Sequence, residues 1–326
     1  MTTAVIIPCF RVCKHVVAVV TGVLNLVDKV YVIDDCCPEN SGQAVSDAFK
    51  DPKIKVVRHE VNQGVGGAMV TGYRLALADA CDIIIKIDGD GQMDPRFIPA
   101  LIRPIVEGAA DYTKGNRFFS IDHLRGMPRL RLFGNAILSF VNKASSGYWN
   151  IMDPTNGFTA IHAAALSWIP LSKISQRYFF ESDMLFRLGV VRAVVMDVPI
   201  RSMYGDEKSN MRIGRIVTDF PQRYLASFCK RFFYNYVLRD LNVGTIETLM
   251  GTVLLLFGSV FGLAKWYEAA AADRSAPVGT VMLAALSITL GVQFLLAALS
   301  FDVANVPTVP IQKKLMQSPD RLDLPV

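Results

Sequence analysis

The chain has 326 residues, long enough for one large domain or two smaller ones. With 52% hydrophobic and 19% charged residues it is more apolar than an ordinary soluble enzyme of this size, so either the core is unusually large or part of the chain sits in lipid. A net charge of +5 does not mark a nucleic-acid binder, because the basic residues gather beside two apolar runs, where anionic lipid head groups attract them.

The first 110 residues alternate between apolar runs and helical patterns. "AVIIPCF" reads as a strand, 12–27 as a helix, "KVYVIDD" as a strand, 40–50 as a helix, "IKVVRHE" as a strand, 65–80 as a helix and "CDIIIKIDGD" as a strand. Continuous apolar strands are buried on both faces, which predicts a parallel sheet covered by helices, a doubly wound α/β domain. Ligands in such sheets bind beyond the carboxyl ends of the strands, where Pro8, Asp34 with Asp35, and Asp88 with Asp90 all fall.

Beyond residue 110 the pattern loosens into "ADYTKGNRF", a basic amphipathic segment over 128–147, "DPTNGFTAI", a helix carrying "ESDMLFRLG" and the strand "AVVMDVPI". Over 210–240, Arg and Lys interleave with Phe220, Tyr224, Phe228, Phe232, Phe233, Tyr234 and Tyr236. That spacing suits a helix in the membrane interface, and equally a helix packed on the soluble domain. Residues 278–301 then form a 24-residue uncharged run, and 248–264 a 17-residue one that extends upstream to 243 if Glu247 sits at the interface. A bilayer core takes about 20 helical residues, so the two runs predict a membrane hairpin. Gly258 and Gly262 have the GxxxG spacing that brings helices close, within the hairpin or between protomers of a homo-oligomer.

Basic residues precede the first run (Lys208, Arg212, Arg215, Arg223, Lys230, Arg231, Arg239) and follow the second (Lys313, Lys314, Arg321), whereas 265–277 balances two bases against two acids. Both ends of the hairpin, and with them the catalytic domain and the termini, are expected in the cytoplasm. The N-terminus shows no secretory pattern. The expected division is 1–210 catalytic, 211–242 juxtamembrane, 243–301 membrane and 302–326 an irregular cytoplasmic tail with four prolines. Six irregularly spaced cysteines read as reduced structural thiols, with a Cys9/Cys13 and Cys36/Cys37 metal site the weaker alternative.

"NQGVGGA" at 62–68 fails the dinucleotide fingerprint, because position 69 is Met and the stretch follows the third strand. Such a glycine-rich helix start still lets backbone amides approach a nucleotide. No P-loop, HExxH or GxSxG motif occurs, and the four histidines are scattered. The sharpest signal is "IDGDGQMDP": Asp88 and Asp90, one residue apart at the end of a buried strand, with Gln92 nearby. Two carboxylates and an amide oxygen form a hard-oxygen set that suits Mg²⁺ or Mn²⁺ bridging to substrate phosphates, which implies a nucleotide-activated substrate.

The ordered set "VIIPCF", "VIDD", "NQGVGGA", "IDGDGQMDP", "GNRF", "DPTNGFTAI" and "VPIRSMYGDEKS", followed by the hairpin, resembles family 2 glycosyltransferases. Within them it is similar to the polyprenyl-phosphate glycosyltransferases related to dolichol-phosphate mannose synthase and to bacterial undecaprenyl-phosphate glucosyltransferases. The resemblance implies a GT-A fold and inversion at the anomeric carbon. It implies nucleotide contacts from Pro8, Phe10, Asp34, Asp35, Gly64, Gly67, Asp88 and Gly89, and a divalent ion on Asp88 and Asp90 assisted by Gln92. The implied partners are a UDP- or GDP-linked sugar, a polyprenyl phosphate and membrane lipids, with no nucleic acid. Where relatives carry Asn-Glu after the first strand, this chain has Arg11 and Val12, which leaves the donor base open.

A lipid phosphate is already anionic and needs no strong base, so arginines that bind phosphate oxygens become the groups to find. Arg117, Arg129, Arg131, Arg201 and Lys208 are candidates, and the resemblance favours Arg117, Arg131 and Arg201. Asp153 is a candidate for orienting sugar or acceptor. A processive polysaccharide synthase is the alternative enzyme, but none of Trp149, Trp168 and Trp266 stands in a Gln-x-x-Arg-Trp motif. A catalytically silent membrane scaffold is the alternative of another class.

Overall fold

The computed structural model describes residues 1–119, 129–200 and 213–317. The chain divides into two compact units, one of residues 1–228 with 307–326 and one of residues 229–306. In the first, β1 (Thr3–Cys9), α1 (Cys13–Val23), β2 (Lys29–Asp34), α2 (Ser41–Ala48), β3 (Ile54–Arg58), α3 (Val65–Ala78) and β4 (Ile83–Lys86) follow the alternation read from sequence. Then come α4 (Ile98–Val106), β5 (Tyr112–Asn116), α5 (Arg129–Ser146), β6 (Thr159–His162), α6 (Phe180–Val191), β7 (Val195–Pro199) and α7 (Ile213–Phe232), which runs into the second unit. Asp94 starts the turn before α4: its carboxylate accepts from Arg96 N at 3.0 Å, and Pro95 occupies the first position, where no amide donor is needed.

The sheet has seven strands in the order β3-β2-β1-β4-β6-β5-β7. β1 to β4 are mutually parallel, as expected, and bury Val5, Ile7, Val30, Val32, Ile83 and Ile85. β6 departs from the expectation, running antiparallel to both β4 and β5. A four-residue strand that begins in "DPTNGFTAI" has too few side chains to show a period. Two reversals restore direction, so β5 and β7 end at the same sheet edge as β1, β2 and β4. The segment entering β6 also meets that edge, with Thr159 opposite both Lys86 and Lys114.

The second unit contains α8 (Val243–Ala271) and α9 (Val278–Ala304), both long and apolar enough to cross a membrane. Asn242 and Thr245 cap α8 reciprocally, each side chain taking the other's amide at 3.3 Å. The pair meets through small residues: a Cβ on Gly251 would lie 2.9 Å from Gly291 O, and one on Gly258 would lie 2.9 Å from Ala284 O. Gly258 is thus used inside the hairpin, and its close partner position is Gly251, seven residues away, more than Gly262. Outward, Leu249, Leu256, Val260, Val281 and Leu286 are exposed. At the foot of α9, Asp302 accepts from the two terminal nitrogens of Arg231, at 2.7 and 3.0 Å, and from Tyr236 OH at 2.5 Å.

The tail differs from the irregular segment expected. Residues 311–317 form α10 (Ile311–Gln317), which packs within the first unit. The buried Asp111 carboxylate accepts from Ile311 N at 2.9 Å, Gln312 N at 3.2 Å and Val194 N at 2.8 Å. Gln312 Nε2 in turn donates to the carbonyls of Ala110 and Ile105. A seven-residue helix whose start is pinned by a carboxylate 200 residues upstream leaves no local pattern. Asp111→Ala leaves three buried amides unpaired and is expected to cost about 3 kcal/mol or more. In detergent its unfolding temperature should fall, and hydrogen exchange at 311–317 should quicken relative to wild type.

Candidate active site

The carboxyl edge of the sheet opens into a cleft of about 480 Å³ lined by Pro8, Phe10, Asp35, Gly64, Asp88, Gly89 and Asp90 among others. β1, β2 and β4 therefore converge where the sequence placed them. Asp35 stands in the cleft wall, with Oδ1 accepting from His59 Nδ1 and Gln63 N at 2.8 Å and Oδ2 from Gly64 N at 2.7 Å. His59 Nε2 pairs with Thr71 Oγ1 at 2.9 Å, so the ring is held at both nitrogens.

Two expected nucleotide contacts are turned to other work. Asp34 is 1% exposed, and its two oxygens accept from Cys37 N and Gly42 N, both at 2.7 Å. It builds the β2–α2 loop and does not line the cleft. Gly67 also lies outside the cleft lining, and its amide donates to Gln176 O at 3.2 Å beside that of Gly66 at 2.8 Å. The close approach that Gly66 permits is to another stretch of chain, whereas a Cβ on Gly67 would meet the Gln63 side chain.

At the metal candidates, Asp88 Oδ1 is 2.6 Å from Lys86 Nζ, and Asp90 Oδ1 accepts from Gln92 N at 3.0 Å. Gln92 contributes this amide, and its side chain is not part of the cleft lining. Asp88 is thus held through Oδ1, and Asp90 Oδ1 is engaged by the turn that follows it. A Cβ on Gly157 would come within 2.7 Å of Asp88 Oδ2, so the glycine keeps that oxygen uncrowded. No cluster of three His, Cys, Asp or Glu ligands forms among the described residues. Two hard oxygen donors, with phosphate and water filling the remaining positions, fit Mg²⁺ or Mn²⁺.

Arg117 follows β5 at the same edge and grips Asp153, Nε to Oδ2 at 2.7 Å and Nη2 to Oδ1 at 3.0 Å. Asp153 is wholly buried, so it cannot orient a substrate directly. It positions Arg117, a correction to the role expected for it. Behind this pair Asp197 accepts from Asn116 Nδ2 and Met152 N, and burial raises its pKa to about 6. Arg129 and Arg131 stand in the first turn of α5, and their side chains, like the whole of Arg201 and Lys208, lie outside the described residues.

Two interior charges escaped the sequence reading. Lys86 is 1% exposed and lies between Asp88 at 2.6 Å and Glu181 of α6 at 3.3 Å. Burial opposes its charge, but the two carboxylates outweigh burial and hold its pKa above the ordinary lysine value. Lys114, also buried, donates to Asn156 O, and burial depresses it to about 8 against the pull of Glu181 and Asp153. The available signal was a lysine inside "IIIKI", two residues before Asp88 and so on its face of the strand.

Lys86→Met strands two carboxylates and should cost about 3 kcal/mol or more, part of which Glu181→Gln in the same chain should restore, as a denaturation double-mutant cycle would measure. Lys114 binds its proton less tightly folded than unfolded. The folded chain releases it near pH 8, while the unfolded chain keeps it to about 10.5, so its contribution to stability rises with pH across that window. Buried Cys9, whose pKa is raised by its burial and by Asp34, gives an opposite trend common to wild type and variant. Lys114→Met should therefore exceed wild type in stability at pH 7, by a margin that shrinks between pH 8 and 10.

Residues 4–168 match the family described as Glycosyl transferase family 2. The chain is 28% identical over 227 residues to UDP-N-acetylglucosamine–dolichyl-phosphate N-acetylglucosaminyltransferase of Methanococcus voltae, covering 64% of this chain and 90% of that one. It is 29% identical over 204 residues to undecaprenyl-phosphate mannosyltransferase of Micrococcus luteus, covering 61% and 83%. Glucosyl-3-phosphoglycerate synthase from Mycobacterium tuberculosis, solved with Mn²⁺, UDP and phosphoglyceric acid, shares the fold at TM-score 0.52 and 18% identity, over 71% of this chain and 78% of that one. With this match over half of its length and a mixed sheet of GT-A type, the chain belongs to glycosyl transferase family 2 and is a glycosyltransferase.

Proposed function

We propose that the chain transfers a sugar from a UDP- or GDP-linked donor to a polyprenyl phosphate at the membrane surface, with inversion. The observation that carries the proposal is the joining, in one chain, of a family 2 cleft bearing Asp88 and Asp90 to two apolar helices of 29 and 27 residues with exposed outer faces. Relatives named for dolichyl and undecaprenyl phosphate support the acceptor class. Mn²⁺ and UDP in a structure of the same fold support the donor class.

Asp88 and Asp90, with Gln92 beside them, would hold the Mg²⁺ or Mn²⁺ ion, whose charge stabilises the departing nucleoside diphosphate when bound. Pro8, Phe10, Asp35, Gly64 and Gly89 form the walls against the nucleotide. Lys86 holds Asp88 by one oxygen, so the carboxylate is oriented before any ligand arrives. An acceptor phosphate oxygen attacks the anomeric carbon as the bond to the diphosphate oxygen breaks. The nucleophile is already ionised, so the enzyme's work is alignment and charge stabilisation. Arg117, braced by Asp153, is the described cation for the acceptor phosphate, and Arg131, Arg201 and Lys208 are proposed to complete that site.

Residues before and after the hairpin belong to the same compact unit, so helices that cross a bilayer must return to the side they left. With the basic flanks, this supports a catalytic unit and both chain ends in the cytoplasm. The division into catalytic, juxtamembrane, membrane and tail segments is proposed on the same grounds, with 307–317 assigned to the catalytic unit. Radiolabelled sugar from UDP- and GDP-sugars should move to a short polyprenyl phosphate with Mn²⁺ present, and absence of lipid-linked product with every donor would sink the proposal. Asp90→Ala should lower transfer by about a thousandfold or more while leaving the circular dichroism spectrum unchanged.

A further inference from the structure

Gly64 and Gly66 make room for residues 175–177. A Cβ on Gly64 would sit 2.6 Å from Gln176 O and 3.1 Å from Arg177 Cγ, and one on Gly66 would collide with the Ser175 carbonyl. Gly66 N and Gly67 N both donate to Gln176 O, so this segment occupies the start of α3. Its other side is fastened to α6: Ser175 N donates to Asp183 Oδ2 at 2.8 Å, and Phe180 N donates to Arg177 O at 2.9 Å. Arg187 secures Asp183 in turn, Nε to Oδ2 at 2.8 Å. A backbone clamped between two helices thus presents Arg177 and Tyr178, both exposed, into the cleft that contains Asp88 and Asp90.

Charge decides what Arg177 is for. It is the single cationic side chain among the described residues lining the cleft, against the carboxylates of Asp35, Asp88 and Asp90. Asp35 is already compensated by His59 and two amides. Asp88 and Asp90 cancel one divalent ion, which leaves a nucleoside diphosphate entering the cleft without a net countercharge. No carboxylate among the described residues pairs with the Arg177 guanidinium, whose planar fork matches phosphate oxygens.

We infer that Arg177 is a donor-binding residue whose guanidinium takes the diphosphate of the nucleotide sugar, with Tyr178 forming the adjoining wall. The inference rests on the donor reading above and adds to it a residue outside the motifs. It also explains the glycines: they seat the segment that carries the arginine, while the phosphates meet a side chain.

The test is equilibrium binding to the full-length protein in detergent with Mn²⁺, using UDP and GDP as probes and uridine and guanosine as controls without phosphate. Arg177→Ala should weaken the diphosphate that wild type binds by about tenfold or more, leave the matching nucleoside unchanged, and regain part of the loss as Arg177→Lys. Diphosphate affinity within about twofold of wild type, or an equal loss for nucleoside and diphosphate, overturns the inference while the donor reading stands. A wild-type protein that binds neither UDP nor GDP overturns both.

Discussion

A lysine ammonium sealed behind the sheet edge, with one carboxylate on each side, constrains everything around it. Lys86 is buried at the end of β4, and a charge there is tolerable only while Asp88 and Glu181 stay within hydrogen-bond reach. That requirement fixes the orientation of Asp88 and ties the first turn of α6 to the centre of the sheet. It also requires glycine at 157, where a Cβ would strike the ammonium and approach Asp88 Oδ2 to 2.7 Å. The cleft's acidic face is thus held by an interior cation.

The same economy recurs at the other carboxylates of this edge. Asp34 and Asp35 are neighbours in sequence with opposite duties, because successive side chains leave a strand on opposite sides. Asp34 turns inward to backbone amides and shapes a loop, whereas Asp35 faces the cleft through a network that also holds His59 and Gly64. Asp153 is a third case, a buried carboxylate whose contribution is the aim of Arg117. Of these five acids, Asp34 and Asp153 are taken up by the fold, while Asp35, Asp88 and Asp90 line the cleft.

The second unit is held by different means. Close backbone approach at Gly251, Gly258 and Gly291 provides the contact between α8 and α9. At its foot the Asp302 carboxylate is satisfied by Arg231 and Tyr236. The chain then returns to the first unit, where Asp111 caps α10. Catalytic unit and hairpin are therefore joined by covalent connections on both sides of the hairpin.

The strand and helix alternation of the first 110 residues, the carboxylate pair at the end of β4 and the two apolar spans were legible in the sequence, because each rests on local periodicity, on adjacent residues or on length. Family membership was legible because its motifs are ordered along the chain. The reversed strand β6, the docking of α10, the inward turn of Asp34 and the burial of Asp153 were not, because each depends on a partner far away in sequence. Lys86 shows the boundary most plainly: its place in an isoleucine run predicted a strand, but only the tertiary structure brought Glu181 beside it, and a buried charge is defined by its partners. By itself the sequence determined which groups reach the sheet edge; the tertiary structure decided which of them face the cleft and which hold the others in place, because hydrogen bonds and ion pairs form between residues that folding brings together.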